Sequence, residues 1–202
     1  AGATFLPPAV TMSSFLRPVI LTKPWSSISP MSPEWNQPSG SIASAVAVGV
    51  AGLLAQFLPV EEGRRLGAYR DPIGIPTICE GWTRGVQMGD RATQAECDLL
   101  TRQGIQEAWE VFERWVPAHV RNGMPDQTLA AFLSFIYNVG PGQAGSKDGF
   151  VWLKSGRHST MLLRLQAGDV RAACEQLPAW VTAAGIRLRG LELRRGREMA
   201  MC

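Results

Sequence analysis

Apolar residues recur at helical spacing along the chain from residue 83 onwards, and turn-forming residues separate the runs. Thr93 and Glu96 have the spacing of a capping box, and a long amphipathic stretch follows them. The next run opens at Pro125 and Asp126, is apolar on nearly every face and ends at Gly140. We therefore predict a long amphipathic helix followed by a central helix that is buried on most sides.

Shorter helices are predicted in the last third of the chain. Ser159 and Asp169 each precede a short apolar run, and both are residue types that cap helix N-termini. After a turn at Pro178, arginines recur at helical spacing around leucines, which predicts the solvated face of an amphipathic helix. The alternative is that they attract an anionic surface. These arginines are Arg187, Arg189, Arg194, Arg195 and Arg197.

Ahead of residue 83 the pattern changes from helical to turn-rich over a short stretch. Apolar spacing up to Leu58, continued by Leu66, predicts a helix that reaches Glu62, although Pro59 should kink or restart it. The segment from residue 69 to residue 77 favours a hairpin of short strands, because it is rich in turn-forming residues. Those residues are Asp71, Pro72, Gly74 and Pro76.

Glu62, Asp71 and Thr77 lie on the two sides of this change and are the candidate chemical groups. A helix would hold Glu62 rigidly, and a hairpin could fold back across a cleft so that Asp71 and Thr77 face it. Cleavage of a glycosidic bond needs such opposed groups, because one carboxyl protonates the leaving oxygen while another group directs water onto the anomeric carbon. The spacing alone also fits an ordinary helix end followed by an ordinary Asp-Pro turn.

A resemblance favours the catalytic interpretation. The stretch EEGRRLGAYRDPIGIPTICEGWTRG at 61–85 resembles the active-site signature of the phage-type lysozymes, glycoside hydrolase family 24. The similarity continues through FLSFIYNVG at 132–140 and GLELRRGRE at 190–198, and covers roughly residues 60 to 202.

Matched residue by residue, the resemblance implies that Glu62 is the general acid, Asp71 its acidic partner and Thr77 the hydroxyl that positions water. Glu62 would have to stay protonated near neutral pH, which requires a raised pKa. In the family an arginine of the third motif approaches the acid, and the sequence does not choose between Arg194 and Arg195.

The implied fold is α+β, mainly α, with a small β-hairpin lobe and a larger helical lobe joined by a long helix. The implied function is an endolysin, a muramidase that hydrolyses the β-1,4 bond between N-acetylmuramic acid and N-acetylglucosamine in peptidoglycan, with inversion, and lyses the host cell for phage release. No cofactor, no metal and no nucleic-acid partner are expected, and the enzyme should be a monomer. The alternatives are a lytic transglycosylase acting on the same bond and a non-enzymatic cationic protein that binds membranes or cell walls.

The chain departs from the family pattern just after Thr77. Many relatives have Gly-Tyr-Gly-His where this chain has Cys79, Glu80, Gly81 and Trp82, so an additional carboxylate enters the region of the active site. If Glu80 pointed into the cleft, it would raise the pKa of neighbouring carboxyl groups by like-charge repulsion. We expect Glu80 to be exposed to solvent instead.

The four cysteines lack the close paired spacing of a zinc site. An even number in an exported chain favours disulfides, and four cysteines allow three pairings. Our hypothesis pairs Cys79 with Cys97 and Cys174 with Cys202. Four reduced thiols in the core are the alternative.

The N-terminal part of the chain divides into two segments. Residues 1–40 are rich in proline and serine and are predicted to be a flexible leader. Residues 41–58 carry no charge and, as a helix, would extend about 27 Å, close to the thickness of the bilayer hydrocarbon. Because alanine, glycine and serine dominate this segment, it gains little per residue from lipid and could insert and also leave.

The family resemblance implies a signal-arrest-release segment at 41–58, with the catalytic domain at 59–202. Such a segment tethers the enzyme transiently to the inner membrane before release into the periplasm. A cleavable signal peptide, a permanent anchor and a buried core helix are the alternatives. Because Glu62 lies only four residues beyond Leu58, we expect the tethered form to be inactive with its cleft unassembled.

Overall fold

The computed structural model describes residues 43–71, 74–183 and 185–202, without the side chains of residues 43–48 and 60–62. The predicted leader at 1–40 and the first two residues of the predicted membrane segment lie outside the described residues. The predicted boundary between residues 58 and 59 falls inside the first helix, α1 (Ala43–Glu62).

Helix α1 continues through Pro59, so the helix does not restart there, and the alternative of a kink stays a prediction. The ring removes one backbone hydrogen bond. On the N-terminal side of Pro59, packing of the buried side chains of Leu54 and Leu58 holds the helix in place. The helix ends at Glu62 because Gly63 adopts a φ of 64°, and its N–H donates to the carbonyl of Pro59 at 3.1 Å, as in a left-handed C-terminal cap.

A hairpin follows directly, formed by β1 (Arg65–Arg70) and β2 (Pro76–Cys79). The strands are antiparallel, with Tyr69 opposite Thr77, and an irregularity in register separates Arg65 from Tyr69. This hairpin is the small β lobe predicted from the turn-rich sequence.

The long helix α2 (Gln94–Trp115) begins at the predicted capping box. The side chain of Thr93 accepts the N–H of Glu96, and the carboxylate of Glu96 accepts the N–H of Thr93 at 2.6 Å. Residues buried along α2 include Leu100, Ile105 and Phe112, so the predicted amphipathic face is confirmed.

The helical lobe is built around the predicted central helix. The remaining elements are α3 (Ala118–Asn122), α4 (Asp126–Val139), α5 (Thr160–Gln166), α6 (Val170–Cys174), a short 3-10 helix (Leu177–Ala179), β3 (Thr182–Ala183), β4 (Ile186–Arg187) and α7 (Arg189–Met201). Every residue of α4 from Thr128 to Ile136 is buried, and Gly140 follows the helix with a φ of 78°. Ser159 and Asp169 cap α5 and α6 as predicted.

Helix α1 packs against α4 and α2. Its buried residues Val50, Leu54 and Leu58 recur every fourth position, which places them on one face of the helix. They belong to the same apolar core as Phe132 and Phe135 of α4. The last part of the predicted membrane segment is therefore a component of the folded domain. Among the described residues, no helix has both the length and the apolar character needed to cross a membrane.

Two disulfides confirm the predicted pairing. Cys79 is bonded to Cys97, with 5.2 Å between the Cα atoms, and joins the end of β2 to α2. Cys174 is bonded to Cys202, with 5.9 Å between the Cα atoms, and joins α6 to the C-terminal residue.

The disulfide between Cys174 and Cys202 closes a loop with a sequence separation of 28 residues. Replacing both cysteines by alanine removes this constraint on the unfolded chain. We expect the free energy of unfolding to fall by roughly 3–4 kcal/mol, measured by chemical denaturation without reductant. An unchanged free energy of unfolding would contradict a stabilising role for this bridge.

Leu58→Ala tests whether the end of α1 depends on the helical core. Leu58 is fully buried, so its truncation should lower the free energy of unfolding by about 2–5 kcal/mol. Gln56→Ala, at an exposed position of the same helix, is the matched control and should change stability little. Equal effects of the two substitutions would show that burial of Leu58 does not anchor α1 to the helical core.

Candidate active site

The end of α1 places Glu62 next to the hairpin. Only Gly63 and Arg64 separate Glu62 from the first residue of β1. The turn at Gly63 allows the chain to leave the helix and enter the strand without a longer loop. The side chain of Glu62 lies outside the described part of the chain, so its position facing Asp71 and Thr77 stays a prediction.

The hairpin brings Asp71 and Thr77 to one face. Thr77 lies directly opposite Tyr69, and Asp71 comes two residues after Tyr69. Because side chains alternate between the faces of a strand, Tyr69, Asp71 and Thr77 share a face. The N–H of Asp71 donates to the carbonyl of Ile75 at 3.0 Å, which continues the pairing one residue beyond β1.

The turn of the hairpin fixes the Asp71 carboxylate. Its Oδ1 accepts the N–H of Ile75 at 2.8 Å, and the carbonyl of Asp71 accepts the N–H of Gly74 at 2.9 Å. Gly74 has a φ of 88°, which suits glycine, and its carbonyl accepts a hydrogen bond from Nη1 of Arg70 at 2.7 Å. The carboxylate is therefore oriented by the backbone of its own turn.

Thr77 is held in the same way. Its Oγ1 donates to the carbonyl of Ile75 at 2.9 Å, and the residue is only 2% exposed. A hydroxyl has a single hydrogen to donate, so Thr77 can meet a further group only as an acceptor in this arrangement.

Glu80 is fully buried, so the expectation that it is exposed to solvent is wrong. One carboxylate oxygen accepts a hydrogen bond from Nε of Arg64, and the other accepts the hydroxyl of Thr101 at 2.9 Å. A carboxylate can be buried when both of its oxygens are paired in this way.

Arg64 binds Glu80 and Asp98 together. Its Nη2 lies 2.7 Å from Oδ1 of Asp98. Partial burial lowers the pKa of the Arg64 guanidinium, but hydrogen bonds and opposite charge from Glu80 and Asp98 outweigh that effect and raise the pKa above its ordinary value. The guanidinium is therefore charged at neutral pH.

Arg194 and Arg195 are buried, so the prediction that they lie on a solvated face is wrong for both. Nε of Arg194 donates to Glu198 at 3.0 Å, and Nη1 of Arg195 lies 2.7 Å from the other oxygen of Glu198. The hydroxyl of Ser134 in α4 donates to Glu198 at 2.7 Å. Arg187, Arg189 and Arg197 are exposed, as predicted. Whether Arg194 or Arg195 approaches the Glu62 carboxyl depends on a side chain outside the described ones.

One group of described side chains brings three potential metal ligands within 4.8 Å of one another, namely Cys79, Glu80 and Cys97. The two sulfur atoms are bonded to each other, and the carboxylate is paired with Arg64 and Thr101. These ligands are therefore already occupied by protein groups.

The contacts of Glu80 are the part of the site that sequence reasoning missed. Its partners Arg64 and Thr101 lie 16 and 21 positions away along the chain. The sequence offered one signal for these contacts. The carboxylate of Glu80 stands directly after Cys79, a cysteine that was already expected to form a disulfide with Cys97.

Comparisons with known proteins agree with this architecture. The sequence model of the family described as phage lysozyme matches residues 60–198. The SAR-endolysin of bacteriophage PS119 is 32% identical over 142 residues, which are 70% of this chain and 75% of that protein. The SAR-endolysin of Pseudomonas phage phiKMV is 34% identical over 163 residues, which are 79% of this chain and 88% of that protein.

Solved structures show the same fold. The active form of the phage P1 endolysin Lyz superposes with a TM-score of 0.61 at 24% identity, over 81% of this chain and 93% of that one. A variant of P22 lysozyme superposes with a TM-score of 0.54 at 28% identity, over 77% of this chain and 94% of that one. The family match and the identity to the phage relatives together establish that the chain belongs to the phage lysozyme family and is a lysozyme of the endolysin type.

Proposed function

We propose that Glu62, Asp71 and Thr77 form the catalytic site with which this endolysin hydrolyses the bond between N-acetylmuramic acid and N-acetylglucosamine in peptidoglycan. Glu62 is the general acid, Asp71 is the acidic partner and Thr77 holds the attacking water. The observation that carries the proposal is the hairpin, which presents Asp71 and Thr77 on one face directly after the helix that ends at Glu62.

In the reaction, Glu62 donates its proton to the glycosidic oxygen as the bond from that oxygen to the anomeric carbon breaks. Water adds to the anomeric carbon from the opposite face, and Asp71 accepts the proton that this water loses. Attack from the opposite face inverts the anomeric centre. The positive charge that develops on the sugar ring is stabilised by the ionised Asp71 carboxylate.

The hydrogen bonds of the hairpin support these roles. Because the Thr77 hydroxyl donates to Ile75, it accepts a hydrogen bond from the water, which leaves a lone pair of the water oxygen directed at the sugar. The Asp71 carboxylate is oriented by the N–H of Ile75, so the same backbone residue positions both groups. Preorganisation of this kind lowers the entropic part of the barrier.

Glu62→Gln tests the assignment of the acid. The substitution removes the transferable proton with almost no change in shape, so the rate of peptidoglycan hydrolysis should fall by about 10²–10⁴-fold. Clearing of purified cell walls measures the rate, and circular dichroism checks that the variant is folded.

Glu61→Gln is the matched control, because it removes an adjacent charge from the same helix end. Neighbouring helix positions point about 100° apart, so the two side chains cannot face the same cleft. The control should retain wild-type activity. An active Glu62→Gln enzyme would move the acid to another residue. Mass spectrometry of the products adds a second criterion, since hydrolysis adds water and a lytic transglycosylase would release an anhydro sugar instead.

We further propose that residues 41–58 are a signal-arrest-release (SAR) segment, which tethers the enzyme transiently to the inner membrane before release into the periplasm. The similarity to relatives named SAR-endolysin supports this proposal. Val50, Leu54 and Leu58 are buried in the core of the folded domain. They cannot contact lipid and the helical core at the same time. Glu62 can therefore reach its place beside the hairpin only after the segment has left the membrane.

Gly52→Leu combined with Ala55→Leu tests the tether. Both positions are exposed in the folded domain, and a Cβ at Gly52 would meet no atom within 4 Å. Leucine favours insertion by up to about 0.6 kcal/mol per residue, so the tethered form should accumulate and lysis should be delayed. Cell fractionation and culture turbidity measure these effects.

Serine at the same two positions is the control and should leave release unimpaired. The purified, released leucine variant should retain wild-type activity on cell walls, because neither substitution touches the core. Lysis at the normal time by enzyme that stays in the membrane fraction would contradict the proposal, because it would show that the tethered enzyme is active.

A further inference from the structure

We propose that Glu80 is a positioning residue for hydrolysis, which holds the hairpin with Asp71 and Thr77 at a fixed place relative to the end of α1. This inference rests on the proposed function of Glu62, Asp71 and Thr77. Glu80 is fully buried, so its side chain presents no surface to substrate or to bulk solvent. It acts through the residues that it joins.

The side chain of Glu80 connects the hairpin to the segment that follows the acid. Glu80 comes three residues after Thr77, and its partner Arg64 comes two residues after Glu62. A single ion pair, fully buried at Glu80 and part-buried at Arg64, therefore connects the two halves of the proposed catalytic site. At Cys79, a φ of 55° turns the chain out of β2 immediately before Glu80.

Arg64 and Glu80 are both fixed to α2 as well. Nη1 of Arg64 donates to Oε1 of Gln94 at 2.7 Å, and Nη2 lies 2.7 Å from Asp98. The second oxygen of Glu80 accepts the hydroxyl of Thr101 at 2.9 Å. The two members of the ion pair are thus held by neighbouring turns of one helix, and neither can shift without breaking a bond to α2.

The backbone of Glu80 reaches the helical lobe. Its carbonyl accepts the hydroxyl of Tyr137 in α4 at 3.0 Å. The Tyr137 ring passes directly over Gly104, where a Cβ would come within 2.4 Å of Cε2 of the ring. Glycine is unfavourable inside a helix relative to alanine, so its presence in the middle of α2 is explained by the space that Tyr137 needs.

These contacts matter because a two-stranded hairpin has little stability of its own. The disulfide of Cys79 attaches the hairpin to α2 at one point, which does not by itself fix its orientation. Glu80 adds Arg64, Thr101 and Tyr137 as three further points of attachment, one of them on α4. A buried ion pair adds little net stability compared with an apolar replacement, whereas a misplacement of about 1 Å can slow catalysis by 10²-fold.

Glu80→Gln is the primary test. The amide keeps the shape of the side chain but removes the charge that Arg64 binds. We expect kcat, measured on labelled glycan strands and corrected for the folded fraction, to fall by about 10–100-fold, with KM within about twofold of wild type. In the pH–rate profile, the two pH values at which the rate is half-maximal should not change, whereas the maximal rate should fall. The reason is that Glu80 does not exchange protons with substrate.

Glu107→Gln is the matched control. Glu107 pairs with Arg84 at 2.6 Å on the exposed side of α2, so the control removes the same kind of charge from the same region. Its kcat should equal that of the wild type. A wild-type kcat for folded Glu80→Gln would show a purely structural role and would overturn the proposal. A shift of the pH limits would also overturn it, because Glu80 would then act by its charge on the catalytic groups.

Arg64→Lys and Thr101→Val provide the same test if Glu80→Gln does not fold. Lysine keeps the positive charge but lacks the planar fork that binds Glu80, Gln94 and Asp98 together. Valine removes only the hydroxyl that donates to Glu80. Each should lower kcat with KM nearly unchanged, and wild-type kcat in both would refute the inference. Glu62→Gln separates this failure from failure of the proposed function, because it should be inactive whichever result the Glu80 variants give.

Discussion

The burial of Val50, Leu54 and Leu58 is the interaction on which the active site depends. These side chains attach α1 to the core around α4, and the position of the helix end follows from that packing. Glu62, the last residue of α1, is thereby positioned by the helical lobe, although the hairpin begins only three residues later at Arg65. The helical core supplies the rigid side of the proposed site, and the hairpin supplies the other.

The hairpin is rigid for a different reason. Of its described apolar residues, Ile78 and Cys79 are buried, and its turn is held by hydrogen bonds among Asp71, Gly74 and Ile75. The Cys79 disulfide and the contacts of Glu80 then attach it to α2 and α4. Apolar burial therefore fixes one half of the site, and directional polar and covalent bonds fix the other.

Local signals were sufficient to predict most of the fold. The capping box at Thr93, the glycine after α4 and the caps at Ser159 and Asp169 depend on residues within one helical turn, so a single sequence displays them. The hairpin was predictable because turn residues cluster between its strands. The candidate residues Asp71 and Thr77 followed from the same turn together with the family resemblance.

Partners that are distant in sequence could not be predicted. Glu80 was expected at the surface because carboxylates usually are exposed, yet Thr101, 21 positions away, donates its hydroxyl to the buried carboxylate. Arg194 was assigned to a solvated face from its periodicity, whereas Ser134, 60 positions away, pairs with it in the interior. In each case a fold-dependent partner offsets the cost of burying a charge, and no local pattern records that partner.

The placement of the two disulfides has a consequence for how the molecule comes apart. One bridge lies between the hairpin and the start of α2, and the other lies between α6 and the C-terminal residue, so each restrains its own end of the protein. Neither disulfide connects the hairpin of β1 and β2 to α4. Apart from the continuous backbone, only non-covalent contacts can couple unfolding of the hairpin to unfolding of the helices around α4. The hydrogen bond from the Tyr137 hydroxyl to the Glu80 carbonyl is one such contact.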